Sequence, residues 1–184
     1  MKKFIISMLG KDRPGIIAAA TRVLFEKDFN IEDVSQTILQ TEFSGIFIVT
    51  GPDDTDCRNL KEALTAATHA FDMHFHVKEL APAVYRWTAC DCEPFVITTR
   101  GPDRKGLVAQ ITALLAAYNV NVTQLRAAFR GGDEPGSNIM IYEADIPSDT
   151  DPRALRRDLR AKGRELDLEI NMQHKNIFEA IHRV

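Results

Sequence analysis

An internal repeat restricts the possible folds of this chain more than any other feature. The segment GKDRPG at 10–15 returns almost unchanged as GPDRKG at 101–106, ninety-one positions later. Apolar residues follow each copy at helical spacing: Ile16, Ala20, Val23 and Leu24 in the first, Leu107, Ile111, Leu114 and Leu115 in the second. Both helices run out just before Asn30 or Asn121, residues suited to the left-handed or turn backbone that opens a new strand. The first hairpin is expected to turn at Glu42 to Gly45, the second through the glycine-rich GGDEPG at 131–136. Beyond that loop the offset grows to ninety-five, since a longer loop is a cheap place for an insertion. At the new offset PDDTD at 52–56 matches PSDTD at 147–151, each a turn with an Asp or Thr to cap the following helix. Leu60, Leu64, Ala67 and Phe71 then align with Leu155, Leu159, Lys162 and Leu166. The last strands alternate Met73, Phe75, Val77 and Leu168, Ile170, Met172 with polar residues.

Each copy therefore reads βαββαβ, and the chain is predicted to be α+β: two ferredoxin-like units in tandem, each an antiparallel sheet with helices on one face. The units are expected at 1–80 and 94–173. Residues 81–93, flanked and interrupted by prolines and without a clear period, form the linker. The tail at 174–184 carries Ile177, Phe178 and Ile181 at helical spacing. The 45% apolar content suits a water-soluble chain that buries a core. A net charge of −3 and a pI near 6.0 disfavour a surface that holds nucleic acid by charge. The opening MKKFIISMLGKDR is too soon broken by charge for a signal peptide, and no apolar run is long enough for a membrane span. Three cysteines, Cys57, Cys90 and Cys92, are too few for a disulfide framework, which places the expected protein in the cytoplasm.

A βαββαβ unit whose first strand leads through G-x-D-R-P-G into a helix, with Asn and an aliphatic residue opening the second strand, resembles the ACT domain, a small-molecule-binding regulatory module. Tandem pairs with a tail like IFEAIHRV resemble the glycine cleavage system transcriptional repressor family. The resemblance implies an amino-acid effector, glycine for the repressor group, bound near the first loop where paired units meet. Carried over by position, it implies one site at Asp12, Arg13, Pro14, Gly15, Ile16, Asn30 and Ile31. A second is implied at Asp103, Arg104, Gly106, Leu107, Asn121 and Val122. Lys105 stands where the first copy has Pro14, so the two sites differ. A regulated protein partner is implied as well, with no cofactor and no catalytic role.

The chemistry suits those residues. Pro14 fits the first helical position and Gly15 bares the backbone beside it, so free N–H groups and the helix dipole offer a carboxylate a seat. An ammonium needs acceptors, which Asn30, Asp12 or strand carbonyls supply. The plainer reading is that Asp12 and Asp103 only cap helices.

Other features are weaker. Arg153, Arg157, Arg160 and Arg164 share a helix face, but interspersed Asp158 and Glu165 suit a solvated surface. His74, His76, Cys90 and Cys92 lack a metal-binding spacing, and no catalytic set is recognisable. RNA modules share this strand order, but the central strands lack their aromatic platform. Exposed sheet edges favour pairing, between the two units or between two copies in a homodimer. A ligand-independent interaction or dimerisation module is the alternative function.

Overall fold

The computed structural model describes residues 1–81, 91–129 and 138–177 of the 184. Most of the expected linker, the GGDEPG loop and the end of the expected tail lie outside the described residues. The chain divides into two compact units, Met1–Tyr85 and Arg86–Val184.

In the first unit the order is β1 (Lys2–Lys11), α1 (Ile16–Glu26), β2 (Asn30–Leu39), β3 (Glu42–Gly51), α2 (Cys57–Ala67) and β4 (His74–Glu79). In the second it is β5 (Cys92–Gly101), α3 (Leu107–Ala117), β6 (Asn121–Phe129), β7 (Asn138–Pro147), α4 (Pro152–Leu166) and β8 (Glu169–His174). Hydrogen bonding orders the sheets β2-β3-β1-β4 and β6-β7-β5-β8, with every pair antiparallel. This is the expected α+β arrangement, made twice.

Period-two alternation turns one face of each sheet inward. Phe4, Ile6 and Met8 of β1 are buried with Ile16, Ala20, Val23 and Leu24 of α1 and Leu60 and Leu64 of α2. Ile97 of β5 is buried with Leu107, Ile111 and Leu115 of α3 and Leu155 and Leu159 of α4. Asp56 caps α2, accepting from the backbone N–H of Arg58 at 2.8 Å and of Asn59 at 3.0 Å, and Asp151 caps α4 through Arg153 N–H at 2.9 Å. Phe71 lies beyond α2, in a 3-10 turn, His69–Phe71.

Three local expectations change. The first hairpin turns at Gln40 and Thr41, not at 42–45: Leu39 pairs with Glu42, and Gln40 takes the left-handed φ of 58°. The left-handed residues after the helices are Asp28 (φ 58°) and Asn119 (φ 56°), two positions before Asn30 and Asn121, which already belong to strands. The reason is the helix end itself. Phe29 N–H reaches back to Leu24 O at 2.9 Å and Val120 N–H to Leu115 O at 3.0 Å, a closure that requires left-handed backbone at the residue between. Finally, α1 starts at Ile16 with Gly15 as its cap at φ 100°, so Pro14 precedes the helix. Residues 175–177 form a helical turn after β8. Among the described residues no helix is long and apolar enough to cross a membrane.

Candidate functional site

The repeated loops sit where the inner strand of each sheet hands the chain to a helix. In the first, Asp12, Arg13, Pro14 and Gly15 are exposed while Ile16 is buried in the core. The Asp12 backbone N–H donates to Thr41 O at 2.8 Å, tying the loop to the β2–β3 turn. In the second, Asp103, Arg104 and Gly106 are exposed and Leu107 is buried. Gly106 caps α3 at φ 87°, and neither Gly15 nor Gly106 is joined by a side-chain cap. Asp12 and Asp103 therefore do not cap: a glycine in left-handed backbone occupies the capping position, and the first-turn N–H groups are not satisfied by a side chain.

The strand register separates residues that the sequence suggested together. Asn30 pairs with Thr50, which pairs with Lys3 at the start of β1, whereas the Asp12 loop follows the end of β1. At roughly 3.3 Å per residue those two ends are about 26 Å apart. Asn121, opposite Asp145 and hence Pro94, is likewise at the far end of its sheet from Asp103. Asn30 with Ile31, and Asn121 with Val122, are thus not brought to the loop of their own unit.

A different asparagine is. Gly101 pairs with Asn138, so the first residue of β7 stands beside the β5–α3 loop. The Asn138 Nδ2 amide donates to Asp103 Oδ1 at 3.1 Å, and Arg104 pairs with Asp167 at 3.3 Å. Asn138 is only 9% exposed, and its Oδ1 has no hydrogen-bond partner among the described residues. Because Nδ2 faces a carboxylate, which only accepts, the orientation of the amide is determined by chemistry. Asn138 also lines a cavity of about 520 Å³ together with Asp103, Arg104, Gly106, Leu107 and Met140. Val108, Ala109 and Ala127 complete the wall. The cavity has an uncapped helix start, a polar side made by Asp103, Arg104 and Asn138, and otherwise apolar walls. It can hold a zwitterion by its two charged ends.

No sequence argument singled out Asn138. It follows the loop that breaks the repeat, where the ninety-five offset aligns it with Phe43. The detectable signal was a polar residue at an inward-facing strand position.

The remaining candidates are placed elsewhere. Arg153, Arg157, Arg160 and Arg164 are exposed on α4, where Arg157 pairs with Asp158 at 3.0 Å. Tyr118 donates to Asp158 at 2.5 Å; that bond, and then Arg157, hold the Asp158 carboxyl below the usual range, while the same bond, and then burial, hold the phenol of Tyr118 above its own. Among the described residues no three His, Cys, Asp or Glu side chains are grouped to hold a metal ion. Cys90 lies outside the described residues. Cys92 is disulfide-bonded, and a bonded sulfur is not a thiolate ligand. Cys57 is a free thiol.

The family profile of the ACT domain matches residues 2–78 and again 93–173. A UPF0237 protein of Methanosarcina acetivorans is 35% identical over 91 residues, 49% of this chain and 95% of that protein. The archaeal relative thus has the length of one unit. An unknown protein from Galdieria sulphuraria superposes with a TM-score of 0.75 at 21% identity, covering 94% of this chain and 98% of the other. A candidate glycine cleavage system transcriptional repressor superposes with a TM-score of 0.67 at 19% identity, covering 94% and 96%. These two likenesses establish the fold of the pair of units.

Proposed function

The chain belongs to the ACT-domain family, and from that premise we propose that it is a non-catalytic regulatory protein of the cytoplasm. In this reading it binds a small amino acid at the β5–α3 loop and alters its contacts with a protein partner, a transcription factor or an enzyme. One observation carries the reading. The cavity at the uncapped start of α3 joins a seat for a carboxylate to an acceptor for an ammonium, the Asp103 carboxylate. Glycine is the effector that the likeness to the repressor family implies. The net charge of −3 argues that any control of transcription is exerted through another DNA-binding protein.

A second reading has its own observation. Strand β2 is a ten-residue edge with Val34, Ile38 and Leu39 at least half exposed, the kind of edge that pairs with another strand. It favours an interaction or homodimerisation module that needs no ligand.

A thermal-melting screen against the amino acids separates the two. Ligand at about 100 times its dissociation constant adds about 2.7 kcal/mol, a shift of several degrees for a unit of this size. A shift with one or a few amino acids supports the sensor. Indifference to all of them, with a concentration-dependent melting temperature, supports the module.

A further inference from the structure

The face of the first sheet turned away from its helices is complementary to itself, and we infer that two copies of this chain associate through it, sheet against sheet. The contact involves neither an effector nor the β2 edge.

Strand register defines that face. Ile5, Ser7 and Leu9 of β1 alternate with the buried Phe4, Ile6 and Met8, so they point to the other side, where Ile48, Ile46 and Ser44 of β3 lie beside them. Leu9 is 52% exposed and Ile46 46%, so the middle of the face is apolar and open. The second unit differs. Val96, the outward residue of β5 that corresponds to Ile5, is 3% exposed, and opposite it on β7 stands Glu143, paired with Lys175 at 2.8 Å, where the first unit has Ile48. With three strands of ten residues and one of six, the open face of the first unit spans roughly 600 Å². Two copies face to face then bury about 1,200 Å², within the range of specific, stable interfaces.

The charges identify the occupant. Ile5 pairs with Ile48 on one side and Lys78 on the other, and Ile48 pairs with Asp33, so one row across the four strands reads Asp33, Ile48, Ile5, Lys78. Asp33 and Lys78 are both exposed, and three strand spacings hold them about 14 Å apart, too far to meet within one chain. Among the described residues neither has an ionic partner. A two-fold axis parallel to the strands, lying between two such faces, reverses the row in the second copy. Lys78 then stands over the partner's Asp33 and Ile5 over the partner's Ile48, and each contact is made twice. Neighbouring rows agree: Ser7 comes over the partner's Ile46, and Lys11 over the partner's Glu42. Strands of two aligned sheets cross within about 30°, an offset that a lysine side chain spans. Opposite unpaired charges at the two ends of an apolar row are matched by the same row reversed, which is what a second copy presents.

The test is sedimentation equilibrium of the full chain across the micromolar range, with circular dichroism to confirm that each variant is folded. Wild type is expected to dimerise. Lys78→Asp or Asp33→Lys alone sets like charges against each other at both ends of the interface, and each is expected to weaken the dimer about ten-fold or more. Both substitutions in one chain, or an equimolar mixture of the two single variants, restore opposite charges at both contacts. Association is then expected to return to within about three-fold of wild type, and recovery in the mixture shows that the charges meet between chains. Ile46→Thr keeps a β-branched residue at an exposed position and is expected to weaken the dimer without unfolding the unit. Wild type that stays monomeric overturns the inference, as does a dimer indifferent to the single charge reversals and to Ile46→Thr, which is the result for pairing at the β2 edge. Losses that persist in both the double variant and the mixture overturn it too. None of these results bears on the effector, which the melting screen tests separately.

Discussion

Gly10 and Gly101 occupy the same place in the repeat, at the end of the inner strand where the chain leaves the sheet, yet alanine should be tolerated very differently at the two. A Cβ added to Gly10 comes within 2.5 Å of Met73 Sδ and 3.2 Å of the Asp72 carbonyl oxygen. One added to Gly101 comes within 2.6 Å of the Asp167 carbonyl oxygen and 2.7 Å of Leu168 Cδ2. The first clash is mainly with the flexible part of a methionine, which can change rotamer at a cost of about 1 kcal/mol. The second is with backbone held by the left-handed turn at Asp167, where Leu168 N–H bonds Gly163 O at 2.7 Å. Overpacking that cannot relax costs about 3 kcal/mol. Both substitutions recover about 0.5 kcal/mol because alanine restricts the unfolded chain. The net expectation is about 0.5 kcal/mol for Gly10→Ala and about 2.5 kcal/mol for Gly101→Ala. At roughly 4–8 °C per kcal/mol for a unit of this size, the melting temperature falls by about 2–4 °C in the first and about 10–20 °C in the second. Urea and thermal melts of both variants measure this, with amide exchange in β1 and β5 assigning the loss to a unit. Equal destabilisation, or a larger loss at Gly10, would refute the reasoning that the neighbour's freedom to move decides the cost.

Two further outcomes are tied to ionisation. Burial pushes the phenol of Tyr142 up to about 12, so its neutral form stabilises the fold below the ordinary phenol pKa near 10 and that contribution is lost as pH rises towards 12. An absorbance titration should show a last phenol ionising near 12 in the wild type and missing from Tyr142→Phe; a final ionisation near 10 in the wild type contradicts the burial. At the Tyr118–Asp158 bond the carboxyl is depressed, so its contribution is present above the usual carboxylate range and lost as pH falls through the folded value. The raised phenol contributes below pH 10 or so and fades as pH climbs through its own folded value. Melting temperature against pH should therefore be flatter at both extremes in Tyr118→Phe, and parallel curves would show that the bond has no such role.

Local chemistry explains what could be read from the chain alone. Apolar periods of 3.6 and 2 place Ile16, Ala20, Val23 and Leu24 on one helix face and Met73 and Phe75 on one strand face, and both faces are buried. Asp56 and Asp151 were legible as caps because a short acceptor just before an apolar helix bonds only to its nearest N–H groups. The helix entry misled for the same reason: Pro14 and Asp12 have the chemistry of helix starts, but the left-handed Gly15 fixes the boundary two residues on from the aspartate's useful range. The loop residues Asp103, Arg104, Gly106 and Leu107, implied by the family resemblance carried over by position, all line the cavity. Asn30 and Asn121 were joined to those loops by position in a motif, and strand register puts them at the other end of the sheet.

The duplication, the α+β class and the order of elements are legible along the chain, because they follow from spacing and from residues close in sequence. Which asparagine belongs with Asp103, and that Phe43 stands at its place in the first unit, is set instead by strand pairing. Asn138 is thirty-five residues from Asp103 and Phe43 thirty-one from Asp12, each across a hairpin. Their neighbourhood exists only once β3 pairs with β1 and β7 with β5, since antiparallel register, not separation along the chain, sets which side chain lies beside the loop.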